Sequence, residues 1–163
     1  MTGPRHGYEV NRFLGETLLS TWQISTSQLY TLLKRLEKDG FLVSAIEAQD
    51  TRPSKRVFTI TPEGENTFMD WLNSPAEHAR DLRIEFMAKL FFFHHLSLGG
   101  AEKLVALQIK SIEKTRAKLH RRGGRKGDPF TRLVYGFKLA TLDAWLRWLQ
   151  DKASPFAKEM TPS

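Results

Sequence analysis

The sequence predicts a mainly α-helical chain interrupted by one small β-hairpin, and three observations predict it. Apolar residues recur at three-to-four spacing through most of the 163 residues. Between 41 and 60 that period gives way to β-branched and aromatic residues on either side of a turn-forming cluster. Breaks in the helical pattern coincide with Asn73-Ser74-Pro75, Gly99-Gly100 and the glycine-rich run 121–129.

In order, Tyr8, Val10, Phe13, Leu14 and Leu18 predict a short amphipathic helix from His6 to Leu19. Ser25-Thr26-Ser27-Gln28 then supplies candidate caps ahead of Leu29, Leu32, Leu33 and Leu36, spaced i, i+3, i+4, i+7. Lys34, Arg35 and Lys38 suit the negative end of that helix, and Gly40 suits a left-handed stop, so the helix should end at Asp39 or Gly40. A hairpin follows, with strands in 41–48 and at Val57-Phe58-Thr59-Ile60 around a basic tip. Thr61-Pro62-Glu63-Gly64 places a cap and a proline at the start of a helix continued by Phe68, Trp71 and Leu72. Apolar clusters at 82–98, 104–119 and 130–149 predict three further helices. Two domains are expected, 1–73 and 79–155.

Hydrophobic residues at 40% and charged residues at 26% are ordinary globular usage, so the chain can build a core. With no cysteine, disulfides, thiolate metal sites and a cysteine nucleophile are excluded together. The longest apolar stretch, Leu90 to Phe93, is far shorter than a membrane span, and no basic-then-apolar leader opens the chain, so a soluble cytoplasmic protein without a membrane partner is expected. Glycine-rich phosphate loops, nucleophile elbows and zinc-hydrolase signatures are absent from the sequence. Adjacent His94 and His95 point about 100° apart on a helix, which does not suit a metal site. No enzyme activity, cofactor or metal is expected.

Two short helices followed by a two-stranded ribbon form the layout of a winged helix-turn-helix, whose second helix can enter the DNA major groove. At about 100° per residue the four leucines share one face, and Ser27, Thr31, Lys34 and Lys38 fall on the opposite one. Base edges call for hydrogen-bonding groups near the helix N-terminus, and phosphates call for cations and hydroxyls. Ser25, Ser27, Gln28 and Tyr30 suit the first need and Lys34 the second, while Arg52, Lys55 and Arg56 crowd the wing. Singly, each of these features also fits a solvated surface.

Together the segments resemble the PadR family of bacterial transcriptional regulators. The resemblance is carried by His6-Gly7-Tyr8-Glu9, by Ser27-Gln28-Leu29-Tyr30 running on to Leu36-Glu37-Lys38-Asp39-Gly40-Phe41-Leu42, and by Arg52 to Gly64. The segments Arg83 to Phe92 and Asp128-Pro129-Phe130 with Trp145 are similar to the C-terminal region of longer-tailed members. The resemblance implies a winged helix-turn-helix followed by an all-helical dimerisation domain. It also implies a homodimeric repressor on a palindromic operator in double-stranded DNA, often released by a small molecule, with Tyr8 added as a phosphate contact. The alternative function is a winged-helix protein-protein interaction module without sequence-specific DNA binding.

Family members carry an apolar helix ahead of the His-Gly-Tyr motif, where this sequence has Met1 to Arg5. Without a substitute, some of Ile24, Leu29, Leu33 and Phe41 are expected to face water, which suggests a misassigned start, a truncated chain, or another element in the groove. In the helical half, Phe86, Leu90, Phe91, Phe93, Leu133, Val134, Phe137, Trp145 and Trp148 carry more aromatic and apolar area than three helices readily hide. Phe86, Leu90, Phe93, Phe137, Trp145 and Trp148 are therefore candidates either for a dimer interface or for the pocket of a small aromatic effector. Net charge discriminates little. Of the overall +7, residues 1–72 hold eight basic and nine acidic side chains, whereas 102–127 hold nine basic and two acidic. The local arrangement from Ser27 to Arg56 is the stronger argument for a polyanionic partner.

Overall fold

The computed structural model describes residues 3, 5–17, 25–47, 55–122 and 128–160. The chain divides into two compact units, Met1–Trp71 and Leu72–Ser163.

The first unit contains β1 (Arg5–His6), α1 (Gly7–Thr17), α2 (Thr26–Lys38), β2 (Leu42–Glu47) and β3 (Lys55–Ile60); α3 (Pro62–Asn73) carries the chain across the boundary. The strands form an antiparallel sheet in the order β1-β3-β2. In its main ladder Leu42 faces Ile60, Ser44 faces Phe58 and Ile46 faces Arg56. The third strand corrects the sequence reading, because His6 pairs with Val57 and the first helix starts only at Gly7. Two residues are too few to display a strand period. The His6 backbone N–H donates to Glu9 Oε2 at 3.0 Å, which ties the strand to the first turn of α1.

Leu29, Leu33 and Phe58 form the core of this unit, with Val10 and Leu42 packed against them. Of the residues some of which were expected to face water without a substitute for the missing helix, Leu29 and Leu33 are only 4% and 7% exposed and Phe41 is half-buried. Ile24 lies outside the described residues. Exposure falls instead on Leu32 and Leu36, at 47% and 40%. The four leucines span a broad arc of α2, and only the row through Leu29 and Leu33 meets the sheet and α1.

The end of α2 closes as its sequence predicts. Gly40 adopts φ 81°, its N–H donates to the Glu37 carbonyl, and the Phe41 N–H donates to the Leu36 carbonyl. This pair of bonds satisfies two orphan carbonyls of the last turn. Thr61 then joins that turn to α3. Its N–H donates to the Phe41 carbonyl at 3.0 Å, its hydroxyl donates to the Gly40 carbonyl at 2.7 Å, and the same oxygen accepts from the Gly64 N–H at 3.0 Å.

The second unit contains a 3₁₀ turn (Ala79–Arg83), α4 (Glu85–His95), α5 (Ala101–Arg122), α6 (Pro129–Trp148), a π turn (Leu149–Ala153) and α7 (Ser154–Glu159). Phe86, Leu90, Phe93, Leu104, Val105, Ile112, Leu142 and Leu149 are buried in it. Gln108, fully buried, accepts from the Ala76 N–H at 2.6 Å and donates to the Ala76 carbonyl at 3.2 Å, satisfying a stretch of backbone that has no helix of its own. Asp128 caps α6 by accepting from the Phe130 and Thr131 N–H groups and the Thr131 hydroxyl; these bonds hold its carboxyl below the ordinary aspartate range. That cap is complete above the ordinary range and is lost as pH falls through the lowered value. The π turn and α7 extend the helix beyond 149, where Ala153 and Ala157 follow Leu149 into the core. Pro155 lacks an N–H, and the widened turn before it accommodates the missing bond. Among the described residues no helix is long and apolar enough to cross a membrane.

Candidate nucleic-acid interface

The outward face of α2 is built by the same residues that start the helix. Ser25 is its N-cap: the hydroxyl accepts from the Gln28 N–H at 3.3 Å, and the Ser25 N–H donates to Gln28 Oε1 at 3.1 Å. This reciprocal capping box satisfies two backbone donors. It also decides what these side chains can offer a ligand. Ser25 bonds within the cap, and its oxygen lies 3.1 Å from the Ser27 hydroxyl. The Gln28 amide oxygen receives both Ser25 groups, so the amide nitrogen is the end left to face outward. Such a group donates, and it suits the acceptors presented by purines in the major groove.

Ser27, Thr31, Lys34 and Lys38 are all exposed on the face opposite the buried Leu29 and Leu33. Lys34 forms no ion pair among the described residues, whereas Arg35 lies 3.7 Å from Asp39. Tyr8 is exposed at 69%. Tyr30 is at the margin of exposure, and its ring rests on Gly7: a Cβ added there would lie 2.8 Å from both Cζ and the phenol oxygen. Tyr30 thus packs α2 on the start of α1 as well as facing outward. The glycine of His6-Gly7-Tyr8 is needed for that close approach.

The wing differs from expectation at Arg56. Its Nε donates to Ser44 Oγ at 2.7 Å, and its terminal nitrogen lies 3.0 and 2.9 Å from the two oxygens of Glu37. Ser44 in turn donates to Glu37 Oε1 at 2.5 Å. The Ser44 hydroxyl and the Arg56 guanidinium hold the Glu37 carboxyl below its ordinary range. Neither Glu37 nor Ser44 was expected at the site, because 19 residues separate Glu37 from Arg56 and no local period links them. Arg52 and the side chain of Lys55 lie outside the described residues.

The six candidates of the second unit do not form one surface. Phe86, Leu90 and Phe93 are 0%, 3% and 1% exposed, so they are covered by this chain's own helices and are not available to a partner. Trp148 meets Phe86 edge-on at 6.3 Å and Trp145 at 6.1 Å. Stacked edge to face, these rings hide more area than spacing along the sequence suggests. Phe137 alone of the six is exposed, at 71%, beside Phe130 and Leu133 on α6. It also lines a groove of about 400 Å³ between α5 and α6, together with Lys118, Arg122 and Lys138. His95 stacks on Phe91 and His94 lies against Phe156. Among the described residues, no group of His, Cys, Asp and Glu is placed to hold a metal.

A capped helix with a polar outer face, followed by an antiparallel strand pair in a three-stranded sheet, defines the winged helix-turn-helix class. Within that class, residues 1–70 match the transcriptional regulator PadR-like family. The chain belongs to that family. The negative transcriptional regulator PadR of Bacillus subtilis is 32% identical over 117 residues, covering 72% of this chain and 63% of the relative, so the match spans less than two thirds of that protein. Two solved structures are similar along most of their length. Bacillus subtilis PadR in complex with operator DNA is 24% identical, with 92% of this chain and 90% of that chain covered and a TM-score of 0.46. The same protein with p-coumaric acid is 24% identical, with 94% and 91% covered and a TM-score of 0.39.

Proposed function

We propose that the chain is a sequence-specific DNA-binding transcriptional regulator of the PadR type, a cytoplasmic homodimer that represses from a palindromic operator. The observation that carries this reading is the outer face of α2, where Ser27, the Gln28 amide and Lys34 stand exposed in the order that base edges and then phosphates require. Tyr8, Arg52 and Lys55 are the further backbone contacts in this reading, and the negative regulation named for the Bacillus subtilis relative supports repression. A gel shift tests it, using duplex from the region upstream of the chain's own operon against random duplex at two salt concentrations. Preference for the upstream duplex is expected; equal binding would favour the protein-interaction module instead. Lys34→Ala should weaken binding to both duplexes by a similar factor and lower the salt slope by about 1, as loss of one phosphate contact does.

Dimerisation is supported by Phe130, Leu133 and Phe137, which stand exposed at three-to-four spacing on α6. Phe137→Glu should shift the protein from dimer to monomer in sedimentation while its helical content is kept. An unchanged dimer would remove α6 from the interface. In the same proposal a small aromatic effector releases the repressor, and the groove beside Phe137, rimmed by Lys118, Arg122 and Lys138, is where an anionic one would be sought.

A further inference from the structure

The Glu37, Ser44 and Arg56 cluster joins three elements of the first unit: the last turns of α2, the middle of β2 and the start of β3. Each polar group in it is used directionally. The Ser44 hydroxyl accepts from Arg56 Nε and donates to Glu37, while the Arg56 terminal nitrogen spans both carboxylate oxygens. A closed triangle of this kind fixes geometry in a way that a single exposed ion pair does not. The cluster also borders the core, since the Arg56 guanidinium lies 5.6 Å from the centre of the Phe58 ring, and Phe58 packs with Leu29 and Leu33 on the inner side of α2. An arginine held so is turned toward the body of the unit and already has its anion.

We propose that this cluster is a clamp that sets the angle of the wing against the reading helix, so that Glu37, Ser44 and Arg56 are positioning residues for DNA binding and Arg56 is not itself a phosphate contact. The proposal rests on the DNA-binding reading given above. It makes a prediction opposite in sign to bare electrostatics. Glu37 places a negative charge beside a surface meant for a polyanion, so neutralising it should tighten binding if charge alone mattered. If the carboxylate positions the wing, neutralising it loosens binding. Lysine in place of Arg56 keeps the charge but cannot bridge Ser44 and both carboxylate oxygens, so it should fail as a substitute.

The test compares the intact chain with Glu37→Gln, Arg56→Lys, the double of these two, Arg56→Ala and Lys34→Ala, by anisotropy on the upstream duplex across a salt series and by amide hydrogen exchange without DNA. Glu37→Gln and Arg56→Lys are each expected to weaken binding about threefold to tenfold, with the double variant no worse than the weaker single, as for residues acting through one contact. Their salt slopes should match the intact chain, unlike that of Lys34→Ala, and amides of β2 and β3 should exchange faster. Tighter binding by Glu37→Gln, or an Arg56→Ala slope lowered by about 1, would overturn the clamp and return Arg56 to the phosphate contacts. If the intact chain shows no preference for the upstream duplex, the DNA reading fails by itself. The clamp is then decided by exchange alone, and unchanged β2 and β3 amides in both single variants would overturn it.

Discussion

Replacing Gly64 by alanine is expected to destabilise the first unit by about 2–4 kcal/mol, although the position lies in the first turn of α3, where helix propensity alone favours alanine by about 1 kcal/mol. The reason is contact with backbone. An added Cβ would lie far inside van der Waals contact distance of the Phe41 carbonyl oxygen, 3.0 Å from its carbon and 2.9 Å from Ile60 Cγ1. A flexible side chain could swing away, but this carbonyl already accepts the Thr61 N–H, and Phe41 is itself held by its bond to Leu36 at the end of α2. Relief therefore requires α3 to move away from the end of the reading helix. Two controls separate this from a general intolerance of alanine. Gly15 has nothing within 4 Å, so Gly15→Ala should be neutral or slightly stabilising, whereas Gly40, at φ 81° but in open space, should cost only about 1 kcal/mol. Urea unfolding followed in the first unit checks the order, and a Gly64→Ala midpoint equal to that of Gly15→Ala would refute the close-approach argument.

This junction shows what the sequence could disclose and what it could not. Thr61-Pro62 reads as a helix start because capping chemistry is local, and Gly40 reads as a helix stop for the same reason. That the two sites touch, so that Gly64 must lack a side chain, depends on how α2 and α3 are brought together by the hairpin between them. The same division runs through the candidate interface. Ser25 and Gln28 were legible as residues near a helix start, but their reciprocal bonds show that capping and recognition draw on the same atoms. Arg56 was legible as a cation in a basic wing, whereas its carboxylate partner lies on another element. In the helical half, spacing placed Phe86, Leu90 and Phe93 correctly on one stripe, but a stripe does not say whether its cover comes from the same chain or from a second one.

Lys89 lies on that stripe, three residues after Phe86 and next to Leu90, and its burial gives the second large expected effect. The side chain is 1% exposed. Its ammonium is 2.8 Å from Glu85 Oε1 and donates to the Ser74 carbonyl at 2.7 Å. A buried ammonium is tolerated only when its hydrogens are received, and here a carboxylate one turn back and a backbone carbonyl from the segment after α3 receive them. Methionine fills a similar volume and would satisfy a purely apolar environment, so Lys89→Met isolates the polar contribution from the packing. Its removal takes a donor from the Ser74 carbonyl and leaves the Glu85 carboxylate facing an apolar neighbour. Glu85 keeps a 32% exposed side chain and can recover some hydration, which places the expected loss near 2–3 kcal/mol, below the full 3–5 kcal/mol for breaking a wholly buried pair. Adding Glu85→Gln should restore part of that loss, because the second change removes the charge that the first one strands. Denaturant unfolding of the second unit measures both. If Lys89→Met were as stable as the parent, the ammonium would be a packing element with no net polar role, and its bond to Ser74 would add nothing to the Gln108 bonds that also hold the segment after α3.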